Sequence, residues 1–197
     1  MNRKLTRRAG LVVSAPAALA LALALTGPAA HAADGTDQPF GPACASVPKD
    51  GAGSFDGMAK DPVATAASHN PALSTLVTAV QKAGLADTLN NAKDITVFAP
   101  TNDAFAKIPK ADLDKVLADK AQLTKVLEYH VVGQKVTPQQ LAKGDFTTLE
   151  GAKLMTSGSG TSYKVGTGAN VVCGNVPTAN ATVYIVDSVL MPPAAMK

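Results

Sequence analysis

Beyond the N-terminal segment, few side chains could do chemistry. They are His69 and His130, Cys44 and Cys173, and carboxylates that include only two glutamates, Glu128 and Glu150. A catalytic zinc needs about three protein ligands around an open position. The histidines do not share an H-x-x-x-H helix, and nothing beside either one completes a ligand set. No D-x-D-x-D-G loop offers calcium a cradle. Neither a metal nor a cofactor is expected.

Nucleophile patterns fail as well. The G-x-S-x-G elbow is absent, and Gly158-Ser159-Gly160 reads as a flexible polar turn. Gly166 and Gly168 begin a G-x-G, but Val171 stands where a dinucleotide loop has its third glycine. Cys173 with His130 is a conceivable pair, silenced if Cys173 is oxidised onto Cys44. Two carboxylates at glycosidase spacing cannot be read from one sequence. Most of the acids stand at helix starts or on polar faces, where capping and solvation are the default roles. No catalytic residue is assigned, and the chain is expected not to be an enzyme.

The 197 residues carry 18 Lys+Arg against 15 Asp+Glu, a formal charge of +3. The excess is local. Residues 1–32 hold Arg3, Lys4, Arg7 and Arg8 and no acid. An apolar run from Ala9 to Leu25 follows, broken by Ser14 and Pro16, and then Ala30-His31-Ala32. A basic start, an apolar middle and an A-x-A end describe a secretory signal peptide cut after Ala32. The run is shorter than the ~20 residues of a membrane span. Arg7-Arg8 leaves twin-arginine export open beside the general route, although the following residues match that pattern poorly. A lipoprotein needs a Cys directly after the apolar run, and the first one here is Cys44. Beyond Ala32 the chain has 14 Lys, no Arg and 15 acids, a formal charge of −1. Arginine is the usual reader of phosphates and bases. Nucleic acid is therefore not an expected partner, and membrane contact is expected only during export.

In an exported chain two cysteines most simply pair. A free thiol and a bond between chains are the alternatives. A Cys44–Cys173 bond would close a loop of about 130 residues and contribute up to about 5 kcal/mol in the chain-entropy picture.

The elements that must position these residues follow from punctuation and periodicity. Residues 33–57 are rich in Pro, Gly, Asp and Ala and read as an irregular arm. Asp61-Pro62 and Asn70-Pro71 look like helix starts. Leu73, Leu76, Val77 and Val80 give one apolar helical face, which Gly84 ends. Leu85, Ala86 and Leu89 suggest a further turn stopped by Asn90-Asn91. Ile95 to Ala99 reads as a strand that Pro100 halts, with Thr101 capping the turn that follows. Lys110 to Tyr129 is helical with a break at Asp119, and His130-Val131-Val132 starts a strand. Thr137-Pro138 opens a short helix. Strands are expected at Phe146–Leu149, Lys153–Thr156, Ser162–Val165, Asn170–Cys173 and Ala181–Ser188. Helices first and strands later imply an α+β fold with mainly antiparallel pairs.

The run Thr96-Val97-Phe98-Ala99-Pro100-Thr101-Asn102-Asp103-Ala104-Phe105 resembles the first signature of the fasciclin domain. The stretch from Val183 to Pro193 resembles the second, and Leu127-Glu128-Tyr129-His130-Val131-Val132 the Tyr-His element between them. Gly41-Pro42-Ala43-Cys44, Met58 to Asn70, Val171-Val172-Cys173-Gly174 and Thr178 to Tyr184 are similar to the small secreted immunogenic fasciclin proteins of actinobacteria. The resemblance implies a wedge-shaped β-sandwich of about seven strands flanked by several α-helices. It implies one fasciclin domain over residues 58–193, followed by a tail at 194–197. It also implies a Cys44–Cys173 disulfide. Tyr129 and His130 are the candidate partner-binding residues, because the family's Tyr-His element is linked to integrin binding in animal relatives. Structural roles are expected for the motif residues Thr101, Asn102 and Asp187.

The function expected is adhesion or extracellular recognition by a secreted, soluble monomer. Its partner would be a protein or matrix component. The alternative is a carrier of a small apolar ligand or lipid. A core lacking an apolar pocket of about 300 Å³ would remove that idea. The third reading, an exported hydrolase, needs titratable side chains converging in one cleft.

Overall fold

The computed structural model describes residues 38–192. The signal segment, its cut after Ala32, the start of the arm and the C-terminal tail lie outside them. A 3-10 turn at Pro42–Ser46 carries Cys44. The helices α1 (Phe55–Met58), α2 (Val63–Ser68), α3 (Ser74–Ala83) and α4 (Ala86–Asn91) follow. Strand β1 (Ile95–Pro100) leads into α5 (Asn102–Ala106), α6 (Lys110–Ala118) and α7 (Lys120–Tyr129). Then come β2 (Val131–Val132), α8 (Pro138–Leu141), β3 (Lys143–Thr147) and β4 (Lys153–Ser159). The strands β5 (Ser162–Val165), β6 (Ala169–Pro177) and β7 (Ala181–Val186) complete the order. Helices dominate the first half and strands the second, as the α+β expectation has it.

The seven strands form one ladder in the order β2-β1-β7-β6-β5-β4-β3. Only β1 and β7 run parallel, in register from Ile95↔Ala181 to Pro100↔Val186. The ladder nearly closes on itself. Val132 bridges Thr148 just after β3, and the Leu149 N–H donates to the Val131 carbonyl at 2.8 Å. Covering the free edges in this way removes a template for unwanted pairing. Strand β6 carries two register shifts, between Val171 and Cys173 and between Cys173 and Val176. Bulges sharpen the local twist.

The parallel pair β1 and β7 is buried along its whole length. Their side chains alternate between two cores, as a period of two requires. Val97, Ala99, Val183 and Ile185 join the core shared with α2, α3, α4 and α7. Phe98, Tyr184 and Val186 join Leu141, Phe146, Leu154 and Val165 in the core on the opposite face. Phe98 and Tyr184 stack there with ring centroids 5.7 Å apart.

The helix ends follow local chemistry. The carboxylate of Asp119 accepts from the N–H groups of Ala121 and Gln122, at 2.9 and 3.2 Å, and starts α7 where the break was expected. Gly84 ends α3 in the left-handed region at φ 75°, where glycine carries no Cβ penalty.

Several boundaries depart from the sequence reading. Strand β4 runs on to Ser159 rather than Thr156, and β6 spans Ala169–Pro177 rather than Asn170–Cys173. Asp61 does not cap α2, whose first residue is Val63 rather than Pro62. Asp61 instead pairs with His69 at 3.3 Å. Strand β3 begins at Lys143, not Phe146, because pairing with β4 defines it and only Phe146 of its five residues is buried. A strand with one inward apolar side chain has no periodicity to detect. Strand β7 ends at Val186, where the backbone leaves the ladder and Asp187 turns to Asn170.

Candidate functional site

Cys44 and Cys173 form a disulfide with their Cα atoms 4.9 Å apart. The arm arrives beside the bulged part of β6. Phe40 and Gly174 exchange two backbone hydrogen bonds, of 3.1 and 2.7 Å. The Phe40 ring lies over Gly174, where a Cβ would come within 2.5 Å of it. It also packs on Tyr163, with ring centroids 5.4 Å apart. Gly41 is required twice over: its φ is 112°, and a Cβ there would meet the Val172 carbonyl oxygen at 2.5 Å.

Tyr129 and His130 face inward, at 6% and 2% exposure. As candidate partner-binding residues they therefore offer little side-chain surface of their own. The Tyr129 hydroxyl donates to the Lys153 carbonyl at 3.2 Å. Burial, then the neighbouring Glu150 carboxylate, push this phenol above its ordinary value. The His130 Nδ1 lies 2.7 Å from the Val126 carbonyl, and its Nε2 accepts the Leu190 N–H at 2.9 Å. Those partners specify the neutral ring with its proton on Nδ1. Burial lowers the His130 pKa to about 4, against a weaker opposing effect of the Val126 hydrogen bond. His130 therefore clamps the C-terminal segment to the end of α7.

The three motif polar residues hold elements together. Thr101 Oγ1 accepts the Ala104 N–H at 3.2 Å and caps α5. Asn102 reaches back to the start of α3: Oδ1 accepts the Thr75 N–H at 3.0 Å, and Nδ2 donates to the Pro71 carbonyl at 2.9 Å. Asp187 accepts from the Asn170 backbone at 2.8 Å, from the Asn170 amide at 3.0 Å and from the Ser188 hydroxyl at 3.1 Å. Lys107 stands 3.4 Å away. Burial alone would raise the Asp187 pKa, but these hydrogen bonds and the lysine charge outweigh it and hold the carboxyl below its ordinary value.

An apolar cleft of about 200 Å³ lies between α2, α3 and α4. Its floor is Val97 and Phe98 of β1 with Leu127, His130 and Val131. Two asparagines that the sequence reading did not single out for a site hold its walls in place, and of these Asn90 also lines it. Asn90 Oδ1 accepts the Ala64 N–H at 2.9 Å, and Asn180 Oδ1 accepts the Val63 N–H at 2.8 Å. Together they satisfy the first donors of α2, a helix without a side-chain cap of its own. Asn90 had read only as a helix stop. Asn180 lies 117 residues from its acceptor's donor, so no local pattern could reveal it. Among the described residues, no group of three or more His, Cys, Asp or Glu side chains could hold a metal ion. Cys173 is taken by its disulfide and His130 by its two backbone partners, so they do not form a nucleophile pair.

The family model described as the fasciclin domain matches residues 71–192. The chain belongs to the fasciclin family. Among its relatives is the immunogenic protein MPB70 of Mycobacterium bovis, 47% identical over 89% of this chain and 91% of that protein. The cell surface glycolipoprotein MPB83 of the same species is 49% identical over 73% of this chain and 66% of that protein. Protein sll1483 of Synechocystis is 38% identical over 64% of this chain. A solved structure of a FAS1 domain pair from the insect cell adhesion molecule fasciclin I matches with a TM-score of 0.51 and 20% identity. That match covers 60% of this chain and 45% of the insect one, and it carries the fold alone. Within the fasciclin match lie α3, α4 and β1 of the cleft; α2, α1 and the Cys44 arm precede it. Among the described residues, no helix is long and apolar enough to cross a membrane.

Proposed function

We propose that this fasciclin protein is a non-enzymatic recognition module of the cell exterior. It is exported on a signal peptide cut near Ala32. It then acts as a soluble monomer that binds a protein or matrix component, with neither nucleic acid nor a cofactor involved. The observation that carries this reading is the fasciclin match, joined to 49% identity with a protein named as a cell surface glycolipoprotein. The geometry supports it from another side. The reactive side chains of the family motifs are spent internally: His130 on Val126 and Leu190, Asp187 on Asn170 and Ser188. What remains for contact is the outer surface, where Met155 at 66% exposure is the most open large apolar side chain among the described residues.

The test is a binding assay with immobilised protein against cell-wall material and purified matrix proteins. Saturable retention that soluble protein competes away is expected. Retention no greater than that of an unrelated disulfide-bonded protein on every surface would refute the reading.

A further inference from the structure

The cleft between α2, α3 and α4 has features that together define an occupant. Its lining contains no Lys, Asp or Glu. Its histidine, His130, is kept neutral by two internal hydrogen bonds. A charged ligand group would find no partner inside. Water fares little better, because a buried water needs two to four polar partners. The Asn90 amide is already given to Ala64 and Thr65, and both His130 nitrogens are occupied. Poorly bonded water is readily displaced by an apolar group.

The cleft also crosses the whole helical layer. It opens beside the exposed Ser68 and Gln81 and reaches β1 at Val97 and Phe98. A layer of helices is about 10 Å thick. A partner's side chain ends too close to its own backbone to traverse it, whereas a flexible chain can. The volume of about 200 Å³ sets the scale. It exceeds the ~150 Å³ that accommodates benzene in a protein interior. It falls short of the ~300 Å³ at which drug-sized sites begin. By that measure the cleft cannot carry a whole lipid, sterol or other drug-sized ligand, and the carrier reading falls. A single slender chain is a smaller occupant, and it fits.

We propose that this cleft binds the single unbranched alkyl chain of an uncharged amphiphile, a fatty alcohol or its ester, with about eight to ten carbons inserted. The head group stays at the rim among the neutral side chains Thr65, Ser68 and Gln81. The proposal does not rest on the recognition reading, so its failure would leave that reading untouched.

Amide spectra of the ¹⁵N-labelled protein, titrated with hexanol, octanol, decanol and dodecanol, test the assignment. Saturable shifts are expected on α2, α3, α4 and Val131. Affinity should rise about three- to fourfold per methylene and level off near ten carbons. Val77→Trp, at a half-buried wall position, fills the cleft and should abolish these shifts. If that variant does not fold, Ala64→Leu narrows the same space and should weaken decanol at least tenfold. Val77→Ala enlarges the cleft and should extend the rise to dodecanol. Decanoate at neutral pH should bind more weakly than decanol. The absence of a saturable shift with all four alcohols would overturn the proposal. So would binding that the filling variants leave intact, and decanoate binding as tightly as decanol would overturn the uncharged head.

Discussion

Asn180 accepts the Val63 N–H through Oδ1 at 2.8 Å, so a turn between the last two strands starts a helix 117 residues earlier. The same amide donates through Nδ2 to the carbonyls of Leu89, Ala92 and Asn90, at 2.7, 2.8 and 3.2 Å. One side chain thereby satisfies orphan groups at the end of α4 and at the beginning of α2. It fixes two walls of the apolar cleft relative to each other.

Asn180→Ala should lower unfolding free energy by about 2–4 kcal/mol, because groups on both helices lose their partner together. Asn180→Asp keeps the acceptor for Val63 but turns an oxygen toward three carbonyls, and it should be no better. Urea denaturation measures both. A loss under about 0.5 kcal/mol for Asn180→Ala, the scale of an ordinary surface change, would contradict this role.

His130 makes the fold sensitive to acid. Its pKa is about 4 in the folded chain against an ordinary 6.5. The unfolded chain therefore takes up the proton first. The contribution is full above about pH 6.5 and declines as pH falls toward 4, by about 3 kcal/mol in total. Protonating Nε2 would also set it against the Leu190 N–H. Unfolding free energies of the parent and His130→Gln should converge as pH drops from 7.5 to 4.5. Parallel curves would rule out His130 as the source.

The disulfide should matter more than the short arm suggests, since it joins positions 129 apart. Reduction is expected to lower Tm by about 5–15 °C, corresponding to about 2–5 kcal/mol. Intact mass should rise by about 2 Da on reduction, one hydrogen for each sulfur freed. An unchanged melt would mean that the strap contributes nothing to the fold it ties.

Asn102→Ala removes the cap that α5 lends to α3, and Thr101→Ala removes the cap of α5 itself. Each should cost about 1 kcal/mol. Because the two residues are adjacent at the start of α5, loss of the Thr101 cap should also loosen Asn102. The double variant should therefore cost less than the sum of the singles by at least about 0.5 kcal/mol, the scale of a neighbour coupling. Strict additivity would show that the two caps act independently.

Much of this architecture is legible in the chain. Asp119 marks the break between α6 and α7, Gly84 the end of α3, and Ser162–Val165 the whole of β5. These signals are local, and a single turn or alternation suffices to carry them. The asparagine pins are not legible, since Asn90 and Asn180 look like any polar turn residue until folding brings Ala64 and Val63 to them. His130 shows a different limit. A histidine at a helix-to-strand junction has the same local pattern whether its ring faces solvent or the core. Only the arrival of Leu190, 60 residues later, decides the matter.

The parallel pairing of β1 with β7 bears on when the molecule can exist at all. The partners of Ile95–Pro100 are Ala181–Val186, close to the end of the chain. Until that stretch has emerged from the ribosome, β1 has only β2 as a neighbour and lacks its second partner. Contacts of such long separation are made late, after the entropy of closing the intervening loop has been overcome. The sheet therefore cannot be completed until Ala181–Val186 is available, and the Cys44–Cys173 bond then holds the arm against β6 of the finished ladder.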